Sequence, residues 1–89
     1  MAWRIEFDPA AAKELNKLGA PDAQRIVKFL SARLSKLEDP RSIGEALKGR
    51  FGQLWKYRIG DYRIIADIRD NVLIILVVRI GHRSEVYKR

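Results

Sequence analysis

Arg58 and Arg63 flank Gly60-Asp61 in a stretch, Leu54 to Asp67, that reads as two strands. A two-residue loop at Gly60-Asp61 makes Ile59 and Tyr62 the closing pair of a hairpin. Arg58 then lies opposite Arg63, and Lys56 falls one step further along the same face. Like charges directly opposite each other destabilise a sheet. A chain that keeps such a pair needs the charge, and the commonest need is a bound phosphate. A solvated sheet face, or ion pairs with Asp67 or a helix acid, is the competing explanation.

The chemistry open to Lys, Arg, Tyr and a single His is narrow, and RNA cleavage without a metal fits it. The ribose 2′-OH attacks its own adjacent phosphate. The step needs help in removing the 2′ proton, positive charge on the phosphorane oxygens, and a proton or charge at the leaving 5′ oxygen. Guanidinium groups meet the second need, being planar, permanently charged and bidentate toward phosphate. DNA has no 2′-OH, so the chemistry selects RNA. Lys56, Arg58 and Arg63 are the first candidates. The tail Gly81-His82-Arg83-Ser84-Glu85-Val86-Tyr87 supplies more. Gly81 lets the chain turn after the last strand, so that Arg83 and Tyr87 return toward the basic face. Tyr87 can stack on a base, although a C-terminal aromatic taken in isolation is more often a half-buried packing residue. His82 has an ordinary pKa near neutral, but a lone His after Gly is more often a turn residue. Lys48, Arg50, Arg69 and His82 complete the set as RNA-binding candidates. Glu85, among Arg83, Lys88 and Arg89, is better suited to orienting an arginine than to acting as a base.

Other chemistries are poorly served. There are no cysteines and one histidine, so no zinc site is expected. No Gly-rich phosphate loop occurs, and no cofactor is expected. Net charge is +7, and residues 48–89 carry +6 of it, with ten Lys/Arg against four Asp/Glu. That half points to a polyanion: RNA, DNA or an acidic protein. The apolar run Val72 to Val78 is too short to span a bilayer, and the alternating N-terminus is unlike a signal peptide. A cytoplasmic protein without a membrane segment is expected.

Eighty-nine residues predict one domain, 1–89. Trp3 to Phe7 alternates as a strand. Asp8 caps a helix with Pro9 in its first turn, running to about Leu18. Pro21 opens a second helix whose stripe is Ile26, Val27, Leu30, Leu34 and Leu37. The short link makes an αα-hairpin, and Glu38-Asp39-Pro40 ends it. A loop over about 41–52 has room for a helical turn near Ile43 to Leu47. Strands follow at about 53–59, 62–69 and 72–80, the last two joined by a two-residue turn at Asp70-Asn71. Trp55, Tyr57, Ile59, Tyr62, Ile64 and Ala66 share the helix-facing side. The prediction is a compact α+β domain of order β-α-α-β-β-β, a mainly antiparallel sheet with the αα-hairpin on one face.

The segments Leu47-Lys-Gly, Leu54-Trp-Lys-Tyr-Arg-Ile-Gly-Asp-Tyr-Arg-Ile and Gly81-His-Arg-Ser-Glu-Val-Tyr resemble the RelE/ParE toxin superfamily, and within it the RelE-like mRNA interferases of type II toxin–antitoxin systems. Phe7-Asp8-Pro9 followed by an αα-hairpin is similar too. The resemblance implies a toxin that enters the ribosomal A site and cuts mRNA there, leaving a 2′,3′-cyclic phosphate and a 5′-hydroxyl. It implies a RelB-like antitoxin as partner and contact with operator DNA only through the antitoxin complex. By motif, Lys56 helps activate the 2′-OH, Arg63 stabilises the phosphate, Arg83 assists the leaving group and Tyr87 stacks with the substrate. Arg58 departs from the pattern, standing where well-studied RelE proteins carry a second lysine. Arginine stays protonated, so Arg58 can stabilise charge but not accept a proton. Base duty then passes to Lys56, Tyr87, His82 or the ribosome's surroundings. The alternatives are a ParE-like gyrase inhibitor on the same fold, which has no need of the Lys56/Arg63/Arg83/Tyr87 set, and a non-catalytic RNA-binding relic.

Overall fold

Asp8 ends the first strand and begins the first helix in one residue: its side chain accepts from the Ala10 N–H at 3.1 Å, and Pro9 fills the first turn. The computed structural model describes residues 2–47 and 52–84. In chain order these form β1 (Arg4–Phe7), α1 (Pro9–Asn16), α2 (Ala20–Lys28), β2 (Glu45–Ala46), β3 (Trp55–Ile59), β4 (Tyr62–Arg69) and β5 (Ile74–His82). The αα-hairpin turns at Gly19, whose φ of +82° suits a residue without Cβ. Beyond Lys28 the second helix widens into a π turn, Phe29–Arg33, and tightens into a 3₁₀ turn, Leu34–Lys36. Of its apolar stripe Ile26, Leu30 and Leu34 are buried, whereas Val27 is 43% exposed and lies at the edge of the packed face.

The strands make one sheet of order β1-β5-β4-β3-β2. The β2–β3, β3–β4 and β4–β5 pairs are antiparallel and β1 runs parallel to β5. The α+β class, the helix layer and the mainly antiparallel sheet are as expected. Three elements differ. The loop before β3 contains a 3₁₀ turn at Pro40–Ile43 and then the short strand β2, where a helical turn was expected. The β4–β5 connection is longer than two residues: Asp70–Val72 forms a 3₁₀ turn and Leu73 takes φ +54° before β5 begins. The register between β4 and β5 shifts at Ile65/Ala66, where Val78 is left without an opposite residue. This bulge lets Val77 and Ile80, three residues apart, both bury on the helix side.

The core lies between sheet and helices and includes Trp3, Ala11, Ile26, Leu30, Leu34, Tyr57, Ile64, Ala66, Ile75, Val77 and Ile80. β5 is interior, between β1 and β4, as its apolar residues on both faces predict. Its last residues extend past β1, and there a carboxylate replaces the missing neighbour. Glu14 Oε1 accepts from the Ile80 N–H (2.9 Å) and Oε2 from Arg79 Nε (3.2 Å). Among the described residues no helix is long and apolar enough to cross a membrane.

Candidate active site

The β3–β4 hairpin closes as its turn residues dictate. Gly60 has φ +58°, the positive value that a type II′ turn requires at its first central position. Ile59 pairs with Tyr62, Arg58 with Arg63, Tyr57 with Ile64 and Lys56 with Ile65. The odd residues Tyr57 and Ile59 pack with the helices, so Lys56, Arg58 and Arg63 share the opposite face. The two arginines do face each other across the pair.

Their surroundings differ. Arg58 is exposed. Arg63 is only 8% exposed, and its Nη1 donates to the carbonyls of Gly60 (3.2 Å) and Tyr62 (3.0 Å). The hairpin's own backbone therefore holds the guanidinium at the turn. Ile65, also on this face, is buried at 2% exposure beside Lys56. The basic face is thus partly covered and not a bare solvated sheet. Lys56 Nζ lies 3.0 Å from Glu45 Oε1, the two being directly opposite in the β2–β3 pair. Lys56, Arg58 and Arg63 together hold the Glu45 carboxyl below the usual carboxylate range, the Lys56 hydrogen bond contributing most. A carboxylate thus sits where three cations converge. The sequence reading missed Glu45. The available signal was its isolation, since no other acid occurs between it and Asp61.

The remaining candidates divide. Arg83 is exposed, and its backbone N–H donates to the Asp61 carbonyl at 2.8 Å, which ties it to the hairpin end where Arg58 and Arg63 meet. Arg69 shares the face but stands at the distal end of β4, with its Nε 3.1 Å from Asp67 Oδ2. His82 pairs with Tyr62 and so belongs to the helix side. Its ring meets the Tyr62 ring edge-on at 6.1 Å, and its Nδ1 is 2.9 Å from Ser84 Oγ. It lines a cleft of about 440 Å³ with Glu14, Lys17, Tyr62 and Arg79, away from the arginine pair. The Tyr62 hydroxyl donates to Asp22 (3.1 Å), which raises its phenol above the ordinary range. Lys48, Arg50 and Tyr87 lie outside the described residues. No group of three or more His, Asp or Glu side chains gathers as a metal site among the described residues.

β2 is positioned by the segment before it. Tyr57, on the core side of β3, donates its hydroxyl to the Pro40 carbonyl at 2.7 Å. Arg41 bridges Asp70 (Nη1 to Oδ1, 3.0 Å) and Asp39 (3.3 Å), tying the 3₁₀ turn to the β4–β5 connection. Glu45 follows that anchored turn after one residue, Gly44.

Residues 5–87 match the family model described as ParE toxin of type II toxin-antitoxin system. The chain is 33% identical over 90 residues to an mRNA interferase toxin RelE of Escherichia coli, covering 98% of this chain and 92% of the relative. It is 27% identical over 89 residues to a toxin RelG of Mycobacterium tuberculosis, with both chains covered in full. The toxin–antitoxin complex RelBE2 of M. tuberculosis contains a chain that superposes with a TM-score of 0.86 at 25% identity, over 96% of this chain and 95% of that one.

Proposed function

Since this chain belongs to the ParE toxin family of type II toxin–antitoxin systems and is a RelE-type toxin, we propose that it is a ribosome-dependent endoribonuclease that cuts mRNA in the A site. The observation that carries the reading is the face on which Arg58 stands opposite Arg63 with Lys56 beside them. The relative with 33% identity is named an mRNA interferase. Three cations on one face of a strand pair suit a phosphodiester in which charge develops on the non-bridging oxygens. Arg63, pinned by two carbonyls, is preorganised for that role, and exposed Arg58 is free to close on the phosphate from the other strand.

In this mechanism O2′ attacks phosphorus and the P–O5′ bond breaks. The products are a 2′,3′-cyclic phosphate and a 5′-hydroxyl, and the charge stabilisation falls to arginine and lysine with no metal ion. In this reading Arg83, whose backbone is held beside the turn, assists the leaving oxygen, and Tyr87 takes the substrate-stacking role that the resemblance implies. Lys48, Arg50 and Arg69 extend the contact to the RNA backbone. The fold neighbour was solved as a complex of toxin and antitoxin. A RelB-like antitoxin is accordingly proposed as the partner that silences the face, with operator DNA reached through that complex.

The test is a reconstituted translation reaction with primer extension on the mRNA, comparing wild type with Arg63→Ala and Tyr87→Phe. The expected result is cutting within the A-site codon, dependent on ribosomes and reduced at least about 100-fold by Arg63→Ala. Circular dichroism checks that each variant folds. Intact mRNA from folded wild-type protein overturns the reading. Gyrase inhibition, the alternative that the resemblance to the ParE-like branch implies, is then the next assay.

A further inference from the structure

Arg63 is only as well placed as the turn that holds it. Its Nη1 is fixed by the carbonyls of Gly60 (3.2 Å) and Tyr62 (3.0 Å), and the Arg83 N–H by that of Asp61 (2.8 Å). These carbonyls belong to three successive residues at the tip of the β3–β4 hairpin. Gly60 and Asp61 lie beyond the closing pair, Ile59 and Tyr62. Turns are where local opening costs least, so this tip needs a restraint.

The restraint comes from the helix side. The Tyr62 hydroxyl donates to Asp22 Oδ2 at 3.1 Å. Asp22 stands in the first turn of α2, and its other oxygen lies 3.9 Å from Arg25 Nη1. Arg25 in turn rests against the hairpin tip, since a Cβ built on Gly60 would fall 2.9 Å from its Nη2. One carboxylate thereby joins two side chains that bear on the same turn. An acid in the first turn of a helix is ordinary, because it complements the helix dipole. Accepting from the closing residue of a distant hairpin, while facing the arginine that covers its turn, goes beyond that role.

Resting on the endoribonuclease reading, we propose that Asp22 is a positioning residue for cleavage: through Tyr62 and Arg25 it clamps the Gly60-Asp61 turn from the helix side, and so sets where Arg63 meets the phosphate and where the chain bearing Arg83 leaves the sheet. The clamp works by geometry, because a misplacement of about 1 Å costs roughly 100-fold in rate. Loosening the tip moves Arg63 and the Arg83 attachment together, since both are held by residues 60–62. Ribosome binding draws on the summed positive field of the surface, which does not depend on that placement. The clamp therefore acts on the cutting rate and leaves affinity alone.

The experiment measures single-turnover cleavage on mRNA-programmed ribosomes, ribosome affinity by co-sedimentation, and amide hydrogen exchange of the free protein. The proteins are wild type, Asp22→Ala, Asp22→Asn, Tyr62→Phe and the Asp22→Ala/Tyr62→Phe double variant. Tyr62→Phe keeps the ring against His82 and the acid at the helix start, so it isolates the hydroxyl's bond. Asp22→Asn keeps an acceptor for that hydroxyl. Asp22→Ala and Tyr62→Phe are each expected to cut about 10-fold more slowly at unchanged ribosome affinity. Asp22→Asn is expected to retain most of the rate, and the double variant to be no slower than Asp22→Ala. In Asp22→Ala the Arg83 amide is expected to exchange about 10-fold faster, with the amides of Ile75 and Val77 unchanged. Wild-type cutting by Tyr62→Phe, additive losses in the double variant, or a fall in affinity that accounts for the slower cutting overturns the assignment and leaves the nuclease reading intact. Unchanged exchange at Arg83 overturns the clamp independently of any cleavage. Absence of cutting by folded wild type overturns the nuclease reading and with it the role in cleavage.

Discussion

Tyr57 connects the core to the site. Its ring packs against Phe29 with centroids 6.1 Å apart, and its hydroxyl reaches the Pro40 carbonyl at the start of the segment that leads to Glu45. Burial pushes its phenol up to about 12, from 10.0 when exposed. The sign follows from linkage: with the folded-state pKa raised, stability is intact below about pH 10 and is lost as pH rises from there toward 12. The slope in that window is at most about 1.4 kcal/mol per pH unit for one proton. Tyr57→Phe is expected to remove this contribution to the slope and, by orphaning the Pro40 carbonyl, to cost about 1–2 kcal/mol at neutral pH. Urea unfolding of both proteins at pH 7 and across pH 9.5–11.5 checks it; parallel pH profiles contradict the assignment. At this scale the sequence was informative where spacing decides placement. The Gly60-Asp61 turn set Arg58 against Arg63 by counting alone, and that pair is present. Glu45 escaped because its place depends on which strand β3 meets on its outer side, and no local periodicity encodes that.

At the scale of elements, β2 is the piece that periodicity could not reveal. It has two residues, fewer than any alternation needs, and it exists because a prefolded turn presents it to β3. Gly44 is the joint. A Cβ built there falls 2.8 Å from Tyr57 Cε1 and 3.0 Å from Cζ, so the ring fits only over a residue without a side chain. The ring cannot step aside without losing its bond to Pro40. Gly44→Ala is therefore expected to cost about 1–3 kcal/mol through overpacking and to lower mRNA cleavage by displacing Glu45 from Lys56. Thermal unfolding and the ribosome cleavage assay measure the two effects; an unchanged melting temperature means that the Gly44–Tyr57 contact is not rigid. Other departures share this tertiary origin. The parallel β1–β5 pair follows from where the αα-hairpin returns the chain, and the β5 bulge from fitting apolar residues on both sides of an interior strand. The helices, by contrast, were legible from Asp8-Pro9, Gly19 and the Ile26/Leu30/Leu34 spacing, since caps and stripes are local.

For the whole molecule, the distribution of charge matters more than its total. Of the net +7, residues 48–89 contribute +6, and these build β3, β4, β5 and the tail. The helical half is close to balanced, although it has Arg25, Lys28, Arg33 and Lys36. If the hairpin face is where RNA binds, neutralised phosphates should be few and localised. Four contacts, from Lys56, Arg58, Arg63 and Arg83, give an expected slope of log K against log salt of about −3 for single-stranded RNA. Arg58 is the best probe because it is exposed and holds no carbonyl, so Arg58→Ala should leave the fold intact. It is expected to flatten the slope by about 0.7, whereas Arg33→Ala, on the helical side, changes it little. A titration from 50 to 300 mM salt with an RNA oligonucleotide carrying 2′-deoxy substitutions, and so resistant to cleavage, separates the cases. Equal flattening by both substitutions would mean that RNA is drawn by diffuse positive charge. Flattening by Arg58→Ala alone localises the phosphate to the strand pair where two arginines face each other, a position whose repulsion an anion between them would relieve.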